Sequence, residues 1–245
     1  MKTNFVEIKT VKEVRSALTA TLTFRFPVLV VGDAGQGKST ALQKIATEET
    51  HFYALASDHV KNASEVYRFL LMAIGIGTLK GSKWDLYQQC DINFSWFREG
   101  SALFIDEYQT LPPTAIREIL HFHDKYQFPL VFCGNRERLA RTRASSGALD
   151  QIESRIGMTF RVDRPDYADC MNIGIEYNVE GTQAYDALAA FGSRTSVREL
   201  VRLLITCTTI TEGRGSIKLP ELKAGVQALH GRPDAVKLFN TYSNA

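Results

Sequence analysis

No two cysteines in this 245-residue chain stand close enough to make a CxxC pair. The four present, Cys90, Cys133, Cys170 and Cys207, are scattered, which argues against a zinc site or a disulfide framework and fits reduced thiols. Long hydrophobic runs are missing too. Nothing approaches the roughly 18 apolar residues of a membrane span, and the opening MKTNFVEIKT lacks the apolar stretch of a secretory signal. Charge of one sign is equally scarce: 29 basic and 27 acidic residues leave a net +2, so charge alone does not announce a nucleic-acid binder. Internal repeats and low-complexity tracts are absent. What remains is a globular chain, expected in the cytoplasm and not at a membrane, with 44% hydrophobic residues to build a core.

What is present is alternation. PVLVVG (27–32), HFYALAS (51–57), SALFID (101–106), FPLVFCG (128–134) and GMTFRV (157–162) read as strands. Near-continuous apolar runs of this length predict strands buried on both faces of a parallel sheet. Helical spacing follows in STALQKIATEE (39–49), ASEVYRFLLMAIG (63–75), TAIREILHFHDKY (114–126) and RERLARTRA (136–144), and an earlier helix is expected from about Val11 to Leu22. The pattern predicts an α/β fold with a central parallel sheet flanked by helices. After about residue 165 the strand signals stop. TQAYDALAAFG (182–192), SVRELVRLLITCTTI (196–210) and LPELKAGVQALHG (219–231) read as helices, the last with Pro220 in its first turn. The expected division is therefore an α/β nucleotide-binding domain over 1–165 and a helical domain over 166–245.

Three glycines and a lysine follow the first strand, in GDAGQGKST (32–40). The spacing Gly32-x-x-x-x-Gly37-Lys38-Ser39 is a full P-loop pattern between a predicted strand and a predicted helix. Phosphate oxygens must be met by converging backbone N–H groups, so glycine stands where a Cβ would block the approach. The following helix aims its positive end at the same anion. Gly32, Asp33, Ala34, Gly35, Gln36, Gly37, Lys38, Ser39 and Thr40 are thus the candidate nucleotide-binding residues. Lys38 would reach the β and γ phosphates of ATP, and the Ser39 hydroxyl would ligate Mg²⁺.

ALFIDEYQ (102–109) is an apolar strand ending in two acids. Beside a P-loop, Asp106 can hold Mg²⁺ and Glu107 can polarise the attacking water. FPLVFCGN ends in Asn135, which would face the γ-phosphate if its strand lies between the other two; otherwise it is a helix N-cap. Together the motifs predict a Mg²⁺-dependent nucleoside triphosphatase.

The order P-loop, IDEYQ, FCGN, IESRI and RTSVREL resembles that of an AAA+ ATPase with a C-terminal helical lid. Within that group DEYQ is similar to the DEAQ of the DNA transposition regulators typified by MuB and TnsC, with tyrosine in place of the commoner alanine. MuB also carries an N-terminal helix-turn-helix domain, whereas only about 26 residues precede the first strand here. The resemblance implies an arginine finger acting on the neighbouring subunit, for which Arg155 in QIESRI fits, with Arg141 and Arg143 as alternatives. It also implies a lid arginine on the γ-phosphate, Arg198 or, second, Arg194. By resemblance the chain would assemble with ATP into a ring or filament of its own copies on duplex DNA, recruit a transposase, and disassemble on hydrolysis. A helicase-loading or replication-initiation ATPase shares these motifs, and so does a signalling or secretion-associated ATPase that binds no DNA.

Residues 132–165 hold seven basic and four acidic residues, and 192–245 hold eight and four. A polymer could repeat such small patches along a phosphate backbone. The loop GTLKGSKW (77–84) offers Lys80 and Lys83 as DNA-phosphate contacts that position without reading sequence. His121 and His123 are two apart on a predicted helix, hence on different faces, which argues against a metal pair. Trp84 and Trp96 are expected in the core or an interface, and Cys133 as an apolar filler within its strand. A C-terminal tail with Phe239 and Tyr242 is a candidate dock for a neighbour.

Overall fold

The computed structural model describes residues 5–77, 79–135, 154–213, 215–231 and 233–239. The chain divides into two compact units, one of Glu13–Gly32 and Lys38–Val162, the other of Met1–Lys12, Asp33–Gly37 and Asp163–Ala245.

The first unit contains the sheet. Strands β1 (Val28–Gly32), β2 (Phe52–Leu55), β3 (Leu103–Asp106), β4 (Leu130–Gly134) and β5 (Met158–Val162) run in the order β2-β3-β4-β1-β5. Every pairing is parallel. Burial follows that order. β3 and β4 are buried at every residue, as their unbroken apolar runs require. The edge strand β5 is exposed at Met158, Thr159 and Arg161, so the expectation of burial on both faces fails there: among the described residues no strand pairs with its outer edge.

Helix α1 (Lys9–Phe24) precedes β1. Helices α2 (Lys38–Glu48), α3 (Ala63–Ala73), α4 (Lys83–Ser95) and α5 (Pro113–Tyr126) supply the crossovers. α3 opens on a capping box in which Asn62 and Glu65 satisfy each other's backbone N–H groups. Phe94, Phe97, Phe122 and Phe128 pack ring against ring, Phe94 stacked on Phe97 and Phe122 and tilted against Phe128 with centroids 4.7 Å apart. This cluster packs α4 and α5 onto the sheet's core residues.

The loop expected over 77–84 ends earlier than predicted. Ser82 is the N-cap of α4 in a second capping box with Asp85, so Lys83 and Trp84 begin a helix. Periodicity hid α4 because apolar residues lie on both faces. Leu86, Cys90 and Phe94 point inward, while Trp84, Ile92 and the C-cap Trp96 are exposed. Neither tryptophan belongs to the core, contrary to that part of the expectation: Trp96 is 84% exposed.

The second unit is helical after residue 163: α6 (Tyr167–Glu176), α7 (Thr182–Arg194), α8 (Val197–Ile210) and α9 (Leu219–His230), the last with Pro220 in its first turn. α6, which the pattern did not single out, is marked by an Asp166/Asp169 capping box. Two cysteines close the helix seams. A Cβ at Gly192 of α7 would stand 2.5 Å from the Cys170 sulfur of α6, and one at Gly225 of α9 would stand 2.4 Å from that of Cys207 on α8. The terminal turn Pro233–Phe239 folds back on its own chain, with Phe239 6.1 Å from Phe191 between ring centroids. Tyr242 lies outside the described residues.

Candidate nucleotide site

Parallel pairing puts the C-terminal ends of β3, β4 and β1 side by side. These carry Asp106, Gly134 followed by Asn135, and Gly32. β4 lies between the strand of the acids and the strand of the P-loop, the arrangement that Asn135 needed.

The glycines of the loop have separate reasons. A Cβ on Gly32 would meet the Val162 carbonyl oxygen at 2.4 Å, so this glycine is required for packing against β5. Gly35 and Gly37 have φ of +85° and +86°, a region that side chains disfavour. Among the described residues only Ile8 lies within 4 Å of a Cβ at Gly37, at 3.9 Å, so within the protein it is backbone conformation that dictates this glycine. Lys38 opens α2, is 8% exposed, and donates from Nζ to the Gly32 carbonyl at 2.8 Å. Ser39 and Thr40 complete the first turn.

The middle of the loop, Asp33–Gly37, belongs to the helical unit. Within that unit the Thr10 hydroxyl donates to the Gln36 carbonyl at 2.9 Å, and the Arg198 backbone N–H donates to the Gly35 carbonyl at 2.9 Å. A Cβ at Gly35 would lie 2.9 Å from Ser196 Oγ and 3.3 Å from Arg198 Cβ. Arg198 is thus brought to the loop. Arg194 donates to the Lys237 and Leu238 carbonyls of the terminal turn.

Asp106 is 1% exposed, and each of its two oxygens accepts a hydrogen bond, leaving a lone pair on each. Oδ1 accepts from the Glu107 N–H at 2.9 Å and Oδ2 from the Tyr53 hydroxyl at 3.0 Å. Tyr53 in turn accepts from Gln43 Nε2 at 3.1 Å, one helical turn beyond Ser39 on α2. Burial pushes the Tyr53 phenol up to about 12, so it stays a donor at neutral pH. Burial, then the neighbouring Asp106 carboxylate, also raises the Cys133 thiol well above its usual value, in keeping with an apolar filler.

Glu107 has a left-handed backbone, φ 53°, and begins the short 3-10 turn Tyr108–Thr110. That turn brings Gln109 back toward Glu107, and the Gln109 amide nitrogen donates to Glu107 Oε2. Its amide oxygen accepts from the Asn135 N–H at 3.2 Å. A Cβ at Gly134 would fall 1.9 Å from that oxygen, so glycine before Asn135 is a condition of the bridge. Tyr53, Gln109 and Gly134 were not singled out individually by motif spacing. Tyr53 sits in an edge strand without a signature, and the Gln109 bridge depends on which strands pair.

Arg155 precedes β5, at the end of the sheet opposite the P-loop. Val28 pairs with Met158 and Gly32 with Val162, so about 13 Å of strand, at 3.3 Å per residue, separates the level of Met158 from that of Gly32, and Arg155 lies three residues before Met158. Within the chain it pairs with Asp124 at 2.9 Å. Arg141, Arg143 and the helix expected over 136–144 lie outside the described residues. Lys80 and Lys83 are exposed. His123 is buried against Phe128, whereas His121 faces Tyr87 at the surface, so the two do not converge.

Residues 26–142 match the family described as an AAA domain. The parallel five-stranded sheet, the loop and the helical region together define an AAA+ P-loop NTPase fold. No curated protein matches the chain. Among solved structures, it is similar to the Aeropyrum pernix ORC2 protein in its ADPNP-ADP complexes, with a TM-score of 0.65, 15% identity, and coverage of 92% of this chain and 70% of that one. Cdc6p from Pyrobaculum aerophilum gives 0.62, 13%, 90% and 66%. The Thermotoga maritima RuvB Holliday junction branch migration motor gives 0.56, 19%, 94% and 72%.

Proposed function

We propose that the chain is a Mg²⁺-dependent ATPase that assembles with ATP on DNA, in the manner of replication-initiation and helicase-loading ATPases. The observation that carries the enzymatic part is the alignment of three adjacent strand ends, bearing Asp106 and Glu107, Asn135, and the P-loop. The loop amides and Lys38 bind the phosphates. Asp106 and Ser39 are oxygen donors of the kind a hard cation takes, and they would hold the Mg²⁺ that neutralises phosphate charge. Glu107 takes the proton of the attacking water, Asn135 orients it, Arg198 reads the γ-phosphate, and Arg155 completes the site of a neighbouring copy.

The DNA part is supported by fold likeness to proteins solved on DNA, among them Drosophila ORC bound to DNA and Aeropyrum pernix ORC1 in complex with DNA. Lys80 and Lys83 supply phosphate contacts. A second reading, a transposition regulator that selects target DNA and recruits a transposase, is favoured by Asp106-Glu107-Tyr108-Gln109, similar to the DEAQ of that branch.

Electron microscopy with duplex or single-stranded DNA, comparing a non-hydrolysable ATP analogue with ADP, tests both. Assembly on DNA only with the analogue is expected. A preference for single strands favours helicase loading, and a preference for duplex favours transposition. Assembly indifferent to DNA overturns the DNA assignment and leaves the ATPase standing. Lys80→Ala with Lys83→Ala should lower the slope of log K against log salt by about 2.

A further inference from the structure

Gln109 makes one amide serve two partners that cannot serve each other. A carboxylate only accepts hydrogen bonds and a backbone N–H only donates them. The amide supplies a donor to Glu107 and an acceptor to the Asn135 N–H. No other orientation of the amide satisfies both. Glutamate would lose the donor, and asparagine is a methylene shorter.

The surroundings hold this geometry. Gln109 lies in a 3-10 turn whose Thr110 and Leu111 N–H groups donate to the Glu107 and Tyr108 carbonyls at 2.9 and 3.0 Å. The Tyr108 ring is buried against Phe132. Gly134 gives up its side chain where the amide oxygen sits. The bridge therefore joins the acid at the end of β3 to the asparagine at the end of β4.

We propose that Gln109 is a positioning residue that sets the Glu107 carboxylate for water activation and couples it to Asn135. This rests on the ATPase reading above. A displacement of Asn135 on meeting a γ-phosphate is passed to the base through the shared amide, without contact between Gln109 and substrate.

Three forms of the full chain test it: wild type, Gln109→Met and Gln109→Glu, each assayed for ATP turnover across pH at saturating DNA and protein concentration. Binding of a fluorescent ATP analogue and thermal unfolding are measured on the same samples. Gln109→Met keeps the length and removes both bonds. Its kcat should fall at least tenfold, while analogue binding stays within about twofold of wild type.

Gln109→Glu sets a second carboxylate against Glu107, and two acids in contact share one proton over a wide pH range. With that proton the pair mimics the amide; without it the two charges repel. Its kcat should therefore fall as pH rises, along a limb that wild type lacks. A merely structural role creates no such limb. A Gln109→Met kcat equal to wild type, or a Gln109→Glu profile that parallels wild type, overturns the proposal while the ATPase reading stands. Wild-type turnover that is absent, or unchanged by Lys38→Ala, overturns both. Variants that unfold at assay temperature are measured below their midpoint, where the same pH limb decides.

Discussion

The Tyr53 hydroxyl donates to Asp106 Oδ2 at 3.0 Å, binding the first edge strand to the buried acid that the metal would need. Tyr53→Phe removes that donor at almost constant volume. Loss of a hydrogen bond to a charged group costs about 1.5–3 kcal/mol, and loss of an outer-sphere partner typically weakens a metal site 10–100-fold. A Mg²⁺ titration of ATP turnover should show half-saturation moved up about tenfold, with the unfolding midpoint lowered.

Arg155 should separate stability from catalysis. Its pair with Asp124 is half-exposed, and such surface pairs contribute about 0.2–1 kcal/mol. Arg155→Ala should leave the unfolding midpoint within about 4 °C, while turnover falls about 10³-fold if the side chain acts on a neighbour. Mixing Arg155→Ala with Lys38→Ala should then recover activity that neither variant has alone. A mixture as inactive as its components rejects action in trans.

The thiols predict alkaline lability. Burial pushes Cys90, Cys170 and Cys207 each from 9.0 up to about 12, and Cys133 rises well above its ordinary value. Between those two values the unfolded chain releases protons that the folded chain keeps. Stability is therefore full below about pH 9 and declines as pH climbs toward 12. Urea midpoints at pH 8 and pH 10 should differ in that direction. An aromatic disulfide reagent should modify none of the four thiols before unfolding.

His123 predicts acid lability. It is 3% exposed, and among the described residues no group lies within normal hydrogen-bond distance of either ring nitrogen. Burial lowers its pKa below 6.5, partly offset by Asp124, whose Oδ1 stands 3.8 Å from Nδ1, and by the Arg25 backbone. The neutral ring is thus favoured in the fold, and that stability, present above about pH 6.5, is lost as pH falls. His123→Phe should flatten the stability profile between pH 5 and 7 and leave the pH 8 midpoint equal or higher. A steeper acid limb would refute this.

What was legible in the sequence was local. The P-loop, the acid pair and Asn135 each end a strand whose apolar run marks it, and the parallel sheet follows from such runs alternating with helices. Lys83 was misplaced because α4 carries apolar residues outward as well as inward. The Ser82-x-x-Asp85 capping pattern marked its start all the same. Arg198 ranked ahead of Arg194 by resemblance alone; what spacing did not show is that the Arg198 N–H reaches the Gly35 carbonyl while the Arg194 guanidinium reaches the terminal turn. The bridge through Gln109 joins positions 26 apart in the chain, and only strand pairing shows it.

The seams of the helical unit limit how this chain can vary. Where the Cys170 sulfur faces Gly192 and that of Cys207 faces Gly225, the partner side chain is missing altogether. Neither member can grow alone. A lineage that gains a methyl on the glycine must first lose the sulfur opposite, so Gly192→Ala should be tolerated better in a Cys170→Ala background, where the next contacts are 3.4 and 3.7 Å away, than without it. Each seam is in effect one heritable unit written at two distant places in the gene.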